Sequence, residues 1–215
     1  MPRPSRSSRT GAPSTRERLL RAATVHFARA GFAGTTVDAI VATARVNKRM
    51  VYHYFGDKQH LYEEVLAEAY RSLEIEEVNL LGRDGRLEDL VAGIVRTYLR
   101  FLDEHPEFVR LLLWENLHRG VNLGRGRHPT KDAMLERLEQ WLRAGMARGQ
   151  IRDDLDARHL LISLIGLCQV YSSNRHTLSR ALKLDLAAPP VREAAAQHIG
   201  RLLLDGIRAR SDLAG

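Results

Sequence analysis

Apolar and polar residues alternate at helical spacing over much of this chain, and two short helices are predicted between residues 35 and 58. The first carries apolar residues at positions i, i+3, i+4 and i+7, namely Val37, Ile40, Val41 and Ala44. These positions form one face of a helix. Asp38 stands three residues after Thr35, which is the spacing of an N-terminal capping box. We therefore expect Thr35 to cap this helix.

The second helix is predicted from Lys48 to about Phe55, with Asn47 as its N-cap. At about 100° per residue, Val51 and Phe55 point inward. The opposite side holds cationic and hydrogen-bonding groups and no acid: Arg49, Met50 and His53 in the middle, Lys48 and Tyr52 on one flank, and Tyr54 on the other. Such a face suits a helix in the major groove of DNA. From this helix alone, an amphipathic helix with a solvated basic face fits as well.

Helical spacing continues through the rest of the chain, and no stretch shows the period-two alternation of a β-strand. Further helices are predicted at about 15–30, from 57 past 72, at 87–104, from 106, at 130–148, 156–173 and 178–184, and from 189. The predicted fold class is all-α, with about nine helices. An N-terminal three-helix helix-turn-helix domain, residues 14–60, precedes a C-terminal helical bundle, residues 61–210. Residues 1–13 are predicted to be a disordered basic tail.

Positive charge is concentrated at the N-terminal end. Residues 1–60 hold 11 Lys+Arg and 3 Asp+Glu, a net charge of +8, whereas residues 61–215 hold 22 Lys+Arg and 23 Asp+Glu, a net charge of −1. This asymmetry favours a polyanion-binding domain on a near-neutral body. A membrane-surface domain is the rival, but the first helix lacks the broad apolar face that it needs. Arg3, Arg6 and Arg9 either belong to a plain flexible tail or reach a DNA groove.

Several short motifs between residues 30 and 62 occur together as they do in one protein family. They are Ala30-Gly31-Phe32, Thr35-Thr36-Val37, Ile40-Val41, Val46-Asn47-Lys48, Val51-Tyr52-His53-Tyr54-Phe55, Asp57-Lys58 and Leu61-Tyr62. Over roughly residues 14–66 the chain resembles the DNA-binding segment of the TetR (tetracycline-repressor) family of bacterial transcription regulators. Two positions depart from the family pattern. Arg45 stands where the family usually has a turn glycine, and Arg49 stands where glycine is frequent.

The resemblance implies a ligand-responsive transcription regulator, most simply a repressor. It implies a homodimer joined through the last two long helices, a palindromic double-stranded DNA operator, and a small-molecule effector that binds in the C-terminal body and releases the DNA. The DNA-binding residues are then Thr36, Lys48, Arg49, Met50, Tyr52, His53, Tyr54 and Lys58. Of these, Arg49, Met50 and His53 would face base edges.

Candidates for the effector site are the polar and aromatic side chains within the apolar helices of the body. They are Arg110, Trp114, Glu115, His118, Trp141, Gln169, Tyr171 and Asn174. Each of them taken singly also fits a core or loop-capping role, and the resemblance does not fix these positions. Two other functions stay open: a ligand-independent activator or nucleoid-type DNA binder, and a helical interaction module whose basic domain meets acidic protein or lipid.

Catalytic and metal-binding motifs do not occur in the sequence. Glu115 and His118 have the i, i+3 spacing of di-iron helices, but such sites need two of these motifs, and the single cysteine, Cys168, forms no zinc set. We expect no enzyme activity, no cofactor and no metal. No apolar stretch reaches 18 residues, and the N-terminus lacks the apolar core of a signal peptide. A cytoplasmic protein without a membrane partner is therefore expected.

Overall fold

The computed structural model describes residues 12–81, 86–123 and 130–209, and the regular secondary structure in these ranges is α-helical. The helices are α1 (Thr15–Gly34), α2 (Val37–Ala44), α3 (Arg49–Phe55), α4 (Lys58–Leu81), α5 (Leu87–Glu104), α6 (Pro106–Leu117), α7 (Thr130–Ala147), α8 (Ala157–Ser173), α9 (Arg175–Leu182) and α10 (Pro189–Ile207). The predicted all-α class is confirmed. The described part holds ten helices where about nine were predicted, and the short helix expected at 178–184 is α9, which begins at Arg175. All but the end of the predicted tail lies outside the described residues.

The chain forms two compact units, one ending at Val65 and the other starting at Leu66. Helix α4 runs through this boundary without a break. The sequence placed the boundary after residue 60, in the first turn of the same helix. Since the first two turns of α4 supply Leu61, Tyr62 and Val65 to the N-terminal core, this part of α4 belongs to the N-terminal unit.

The N-terminal unit is built on helix α1. Ser14 caps α1 in a reciprocal capping box with Glu17, which satisfies two backbone N–H groups at the helix start. Gly31 has a φ of 67°, so the α-helical geometry is interrupted where the sequence predicted the helix to stop. The buried core residues of this unit include Leu19, Ala23, Phe27, Ile40, Val51, Leu61, Tyr62 and Val65. Large side chains of this kind stabilise the fold by roughly 1.5–3 kcal/mol each when buried.

Thr36, and not Thr35, caps helix α2. The Thr36 hydroxyl accepts a hydrogen bond from the Ala39 N–H at 3.2 Å. The prediction that Thr35 caps the helix is wrong, because the Thr35 side chain is buried and donates to the Gly31 carbonyl at 2.8 Å. That bond ties the end of α1 to the start of α2. In the sequence, Thr35 and Thr36 are equally suitable as the N-cap of α2. Only the packing of Thr35 against α1 shows that Thr36 is the cap.

The core of the C-terminal unit is formed by α5, α6, α8 and α10. Its buried residues are Val95, Tyr98, Leu99, Phe101, Leu102, Phe108, Val109, Cys168, Ala196 and Ile199. The rings of Phe101 and Phe108 meet edge to face with centroids 5.3 Å apart. Helix α6 is apolar on nearly all sides, yet Leu113 and Leu117 are 41% and 73% exposed. Helix α6 therefore has one solvent-facing side.

A second apolar cluster joins α7 to α8 around Leu138, Leu142, Ile151 and Ala157. Helix α6 begins at Pro106 as predicted, and Asp156, predicted as the first residue of α8, is its N-cap. In the part of the chain that the structure describes, no helix is both long enough and apolar enough to cross a membrane.

Candidate nucleic-acid interface and ligand cavity

The turn between α2 and α3 is tight and is held by backbone hydrogen bonds. Arg45 adopts the left-handed conformation, with φ 54° and ψ 51°, and its N–H donates back into α2. The Val46 N–H donates to the Val41 carbonyl at 3.1 Å. Asn47 then caps the start of α3 as predicted: its side-chain oxygen accepts from the Arg49 N–H at 2.8 Å, and Lys48 between them already has helical backbone angles. These bonds hold the two short helices at a defined angle.

Helix α3 buries one side and presents the other to solvent. Val51 and Phe55 are 0% and 7% exposed. The outward side holds Arg49, Tyr52, His53 and Tyr54, which are exposed, and Met50, which is half-buried. The rings of His53 and Tyr54 meet edge to face with centroids 4.8 Å apart. The structure thus brings the predicted groove-facing residues onto one surface.

Lys48 lies at the start of this surface and is paired with an acid. Its ammonium lies 2.8 Å from Oδ1 of Asp38 and donates to Oδ2 at 3.1 Å. The hydrogen bond to Asp38, and then the charge of the carboxylate, raise the pKa of Lys48. The outer side of α3 itself holds no acid, as the sequence indicates. Asp38 of α2 nevertheless lies beside its start, because the turn folds the first turn of α2 back towards Lys48.

Lys58 lies in the first turn of α4 and is half-buried. Its ammonium stands over the Phe32 ring, 4.4 Å from the centroid, a cation–π geometry. Partial burial lowers the pKa of Lys58. The preceding residue, Asp57, caps α4, accepting from the His60 N–H at 2.8 Å. The ring fixes the lysine stem, which limits how far its charge can move.

A cavity in the C-terminal unit lies between α5, α7, α8 and α10. Its lining is wholly apolar and consists of Val91, Ile94, Val95, Leu138, Trp141, Leu160, Leu161, Leu164, Leu203 and Ile207. About 40 Å³ of it is open to the centres of water-sized molecules, more than the ~10–15 Å³ that one water needs. With no polar partner in the lining, water is held weakly there, and an apolar molecule is favoured.

Trp141 is the only one of the eight predicted effector residues in this lining. Glu115 is buried, and its carboxylate accepts from the Asn122 backbone N–H at 3.2 Å and side-chain amide at 2.9 Å. It therefore anchors the segment that follows α6. The remaining six stand elsewhere: Arg110, His118 and Asn174 are exposed, and Trp114, Gln169 and Tyr171 are half-buried. The aliphatic lining residues were not predicted from the sequence, because their helical stripes also fit an ordinary core.

The outer sides of α8 and α10 expose apolar and small residues. On α8, Ile162, Gly166 and Val170 are spaced four residues apart and exposed; on α10, Leu202 and Gly206 are similarly spaced and exposed. A β-carbon added at Gly166 or Gly206 would meet no atom within 4 Å. These faces are thus apolar and open to close approach by another helix.

Both units match models of the same protein family. The family model "Bacterial regulatory proteins, tetR family" matches residues 19–65, and "Tetracyclin repressor-like, C-terminal domain" matches residues 88–203. The HTH-type transcriptional repressor NicS of Pseudomonas putida is 36% identical over 203 residues, covering 92% of this chain and 94% of that protein. The HTH-type transcriptional repressor SCO4008 of Streptomyces coelicolor is 34% identical, covering 72% and 76%. A TetR transcriptional regulator from Chloroflexus aurantiacus has a similar fold, with a TM-score of 0.70, 21% identity, and coverage of 91% and 97%.

Proposed function

Because this chain belongs to the TetR family of bacterial regulatory proteins, we propose that it is a repressor that binds a palindromic operator as a homodimer and is released by an apolar effector. Membership of the family confirms the resemblance found in the sequence and makes the chain a DNA-binding transcription regulator and not an enzyme. The names of the two relatives reported above, both called transcriptional repressors, support repression rather than activation. Because the bacterial chromosome lies in the cytoplasm, we expect the protein to act there.

The observation that carries the DNA-binding proposal is the outward side of α3. Arg49, Met50 and His53 would meet base edges, since they lie opposite the buried Val51 and Phe55. Arginine recognises guanine through two hydrogen bonds in the major groove. The other predicted contacts, from Thr36, Lys48, Tyr52, Tyr54 and Lys58, would be made to the phosphate backbone, which sets register and orientation.

The dimer would form through α8 and α10. One short recognition helix binds DNA weakly, whereas two on one rigid body add their contacts. The exposed Ile162 and Leu202 give the two helices apolar anchors, and Gly166 and Gly206 leave room between them. Ile162→Glu should therefore produce monomers in sedimentation. Val25→Glu is the matched control, because Val25 is an exposed β-branched residue of α1 and its substitution should leave the dimer intact.

The effector would occupy the apolar cavity and have little or no charge. The lining offers no described polar or charged group to solvate an ion, and transfer of an unpaired charge into such a place is strongly unfavourable. Effector binding would favour a state in which the two recognition helices no longer fit successive grooves, a shift of population between two states. The effector class is therefore a small uncharged hydrophobic or aromatic molecule.

The first experiment is selection of genomic DNA fragments by the purified full-length protein at physiological salt, followed by sequencing. An enriched palindrome with two half-sites supports the proposal. Retention without a motif leaves charge-driven binding of the nucleoid type and overturns it. Arg49→Ala should then relax base preference in the selected site, whereas Lys58→Ala should weaken binding to all sequences and flatten the salt dependence.

The cavity is tested separately with a panel of neutral hydrophobic compounds and their charged analogues. Neutral compounds should raise the melting temperature and release the selected DNA, and Ile94→Trp, which fills the cavity, should abolish both effects. Leu117→Trp adds the same side chain at a residue that is 73% exposed, and it should leave both effects unchanged. Release by charged analogues only, or an unchanged response in Ile94→Trp, would place the effector elsewhere.

A further inference from the structure

Asp38 places a carboxylate among the cations of the candidate DNA surface. Its two oxygens lie 2.8 Å and 3.1 Å from the Lys48 ammonium. Both side chains are solvent-exposed, at 74% for Asp38 and 48% for Lys48. The pair joins the first turn of α2 to the residue that precedes α3. A phosphate approaching Lys48 therefore meets the carboxylate as well.

Lys48 differs in this respect from the neighbouring cations. Arg45 and Arg49 are also exposed, but among the described residues neither has a carboxylate within ion-pair distance. Phosphates can thus reach the two arginines freely, whereas they must compete with Asp38 for Lys48. An exposed ion pair contributes little to folding, so it is readily exchanged for a well-placed phosphate.

We propose that Asp38 is a specificity-determining residue. Its ion pair with Lys48 persists in non-specific DNA complexes, and a phosphate replaces Asp38 at Lys48 only on the operator, where that phosphate is held in register. The inference rests on the proposed function. Non-specific complexes are held by attraction to the phosphates without a fixed geometry. No single phosphate therefore stays close enough to Lys48 to displace the Asp38 carboxylate. The carboxylate also repels the DNA backbone. On the operator, base contacts fix the register and one phosphate stays beside Lys48. The carboxylate therefore weakens non-specific binding more than operator binding.

The test measures binding of the full chain to two duplexes, one of random sequence and one recovered by selection, over a range of salt concentrations. Asp38→Asn should strengthen random-duplex binding about tenfold and steepen the slope of log K against log salt by about one, because Lys48 then neutralises one more phosphate. Operator binding should change by less than about twofold, so that the ratio between the two affinities falls. Asp38→Glu, which retains the charge, should behave like the wild type.

Lys48→Gln gives an independent prediction that does not depend on the folding of the Asp38 variant. It should weaken operator binding by a larger factor than random-duplex binding, since Lys48 contacts a phosphate only on the operator, whereas the unpaired Asp38 carboxylate repels both duplexes. In the double variant D38N/K48Q, the gain caused by Asp38→Asn should be clearly smaller than in the presence of Lys48. Glu64→Gln is the matched charge control, because Glu64 pairs with Arg16 at 2.6 Å within the same unit, and it should leave the affinity ratio unchanged.

Each outcome bears on one proposal. An equal gain from Asp38→Asn with and without Lys48 would show that the carboxylate acts only as general negative charge, and the inference would be wrong. The same holds if Glu64→Gln reproduces the effect, or if Lys48→Gln weakens binding to both duplexes equally. A wild-type protein that shows no preferred duplex in the selection would instead overturn the proposed function.

Discussion

Arg192 on α10 forms a bidentate ion pair with Asp103 near the end of α5, with Nη2 2.6 Å from Oδ1 and Nε donating to Oδ2 at 2.8 Å. The same guanidinium donates to the Leu99 carbonyl at 3.1 Å. The Arg192 side chain is only 11% exposed, so its charge depends on this partner. The pair connects α10, a helix of the proposed dimer interface, to α5, which lines one side of the cavity.

Asp103→Asn should lower the free energy of unfolding by about 1–2 kcal/mol, because it leaves a mostly buried guanidinium without its counter-charge. Urea denaturation followed by circular dichroism measures this loss. Glu139→Gln is the control, since Glu139 makes an exposed pair with Arg143 at 3.8 Å and its removal should cost less than about 0.5 kcal/mol. Equal losses in the two variants would contradict the importance assigned to Arg192.

Arg45→Gly should stabilise the N-terminal unit by about 0.5–1 kcal/mol. The left-handed conformation, φ 54°, costs a residue with a β-carbon about 1–2 kcal/mol, and the greater freedom of glycine in the unfolded chain offsets part of the gain. Thermal denaturation should show a higher midpoint. Arg45→Ala retains the β-carbon and should show no such gain, which separates backbone strain from loss of the arginine side chain.

Asp57→Ala should destabilise the protein by about 1 kcal/mol through loss of the α4 cap, and Asp57→Asn should retain most of the stability. The hydrogen bond from the His60 N–H is the main cause of the lowered pKa of Asp57. A carboxyl whose pKa is lower in the folded state contributes stability that is present above its unfolded pKa and lost as pH falls through its folded pKa. Chemical denaturation across the acid range should therefore show a weaker loss of stability in Asp57→Asn than in the wild type. Identical acid profiles would count against this cap.

Cys168 should be unreactive towards thiol reagents in the folded protein. Its side chain is fully buried, and burial raises the pKa of the thiol to about 12, so the reactive thiolate is nearly absent at neutral pH. A chromogenic disulfide reagent should label it only after denaturant is added. Because burial raises the pKa of the folded thiol above its ordinary value of 9.0, the thiol contributes stability below about pH 9 that is lost as pH rises towards 12. Cys168→Ala should reduce this alkaline loss, and rapid labelling under native conditions would contradict the burial.

The sequence by itself determined the helices and the outward side of α3. Helical periodicity and capping are local properties, so Asn47, Pro106 and Asp156 marked helix starts where the structure has them. The side of α3 opposite Val51 and Phe55 followed from the angle between successive residues. The family likewise followed from closely spaced motifs, and its models match both units.

Tertiary structure alone decided which distant residues meet. Asp38 reaches Lys48 because a left-handed turn at Arg45 folds α2 against α3, and nothing in the pattern of either helix records that distance. Packing also selected Thr36 as the cap by burying Thr35, and it turned Glu115 towards Asn122 and away from the cavity. The cavity is lined by aliphatic stripes from four helices. An apolar stripe has the same sequence whether it faces another helix or an empty space, and only the arrangement of the helices distinguishes the two.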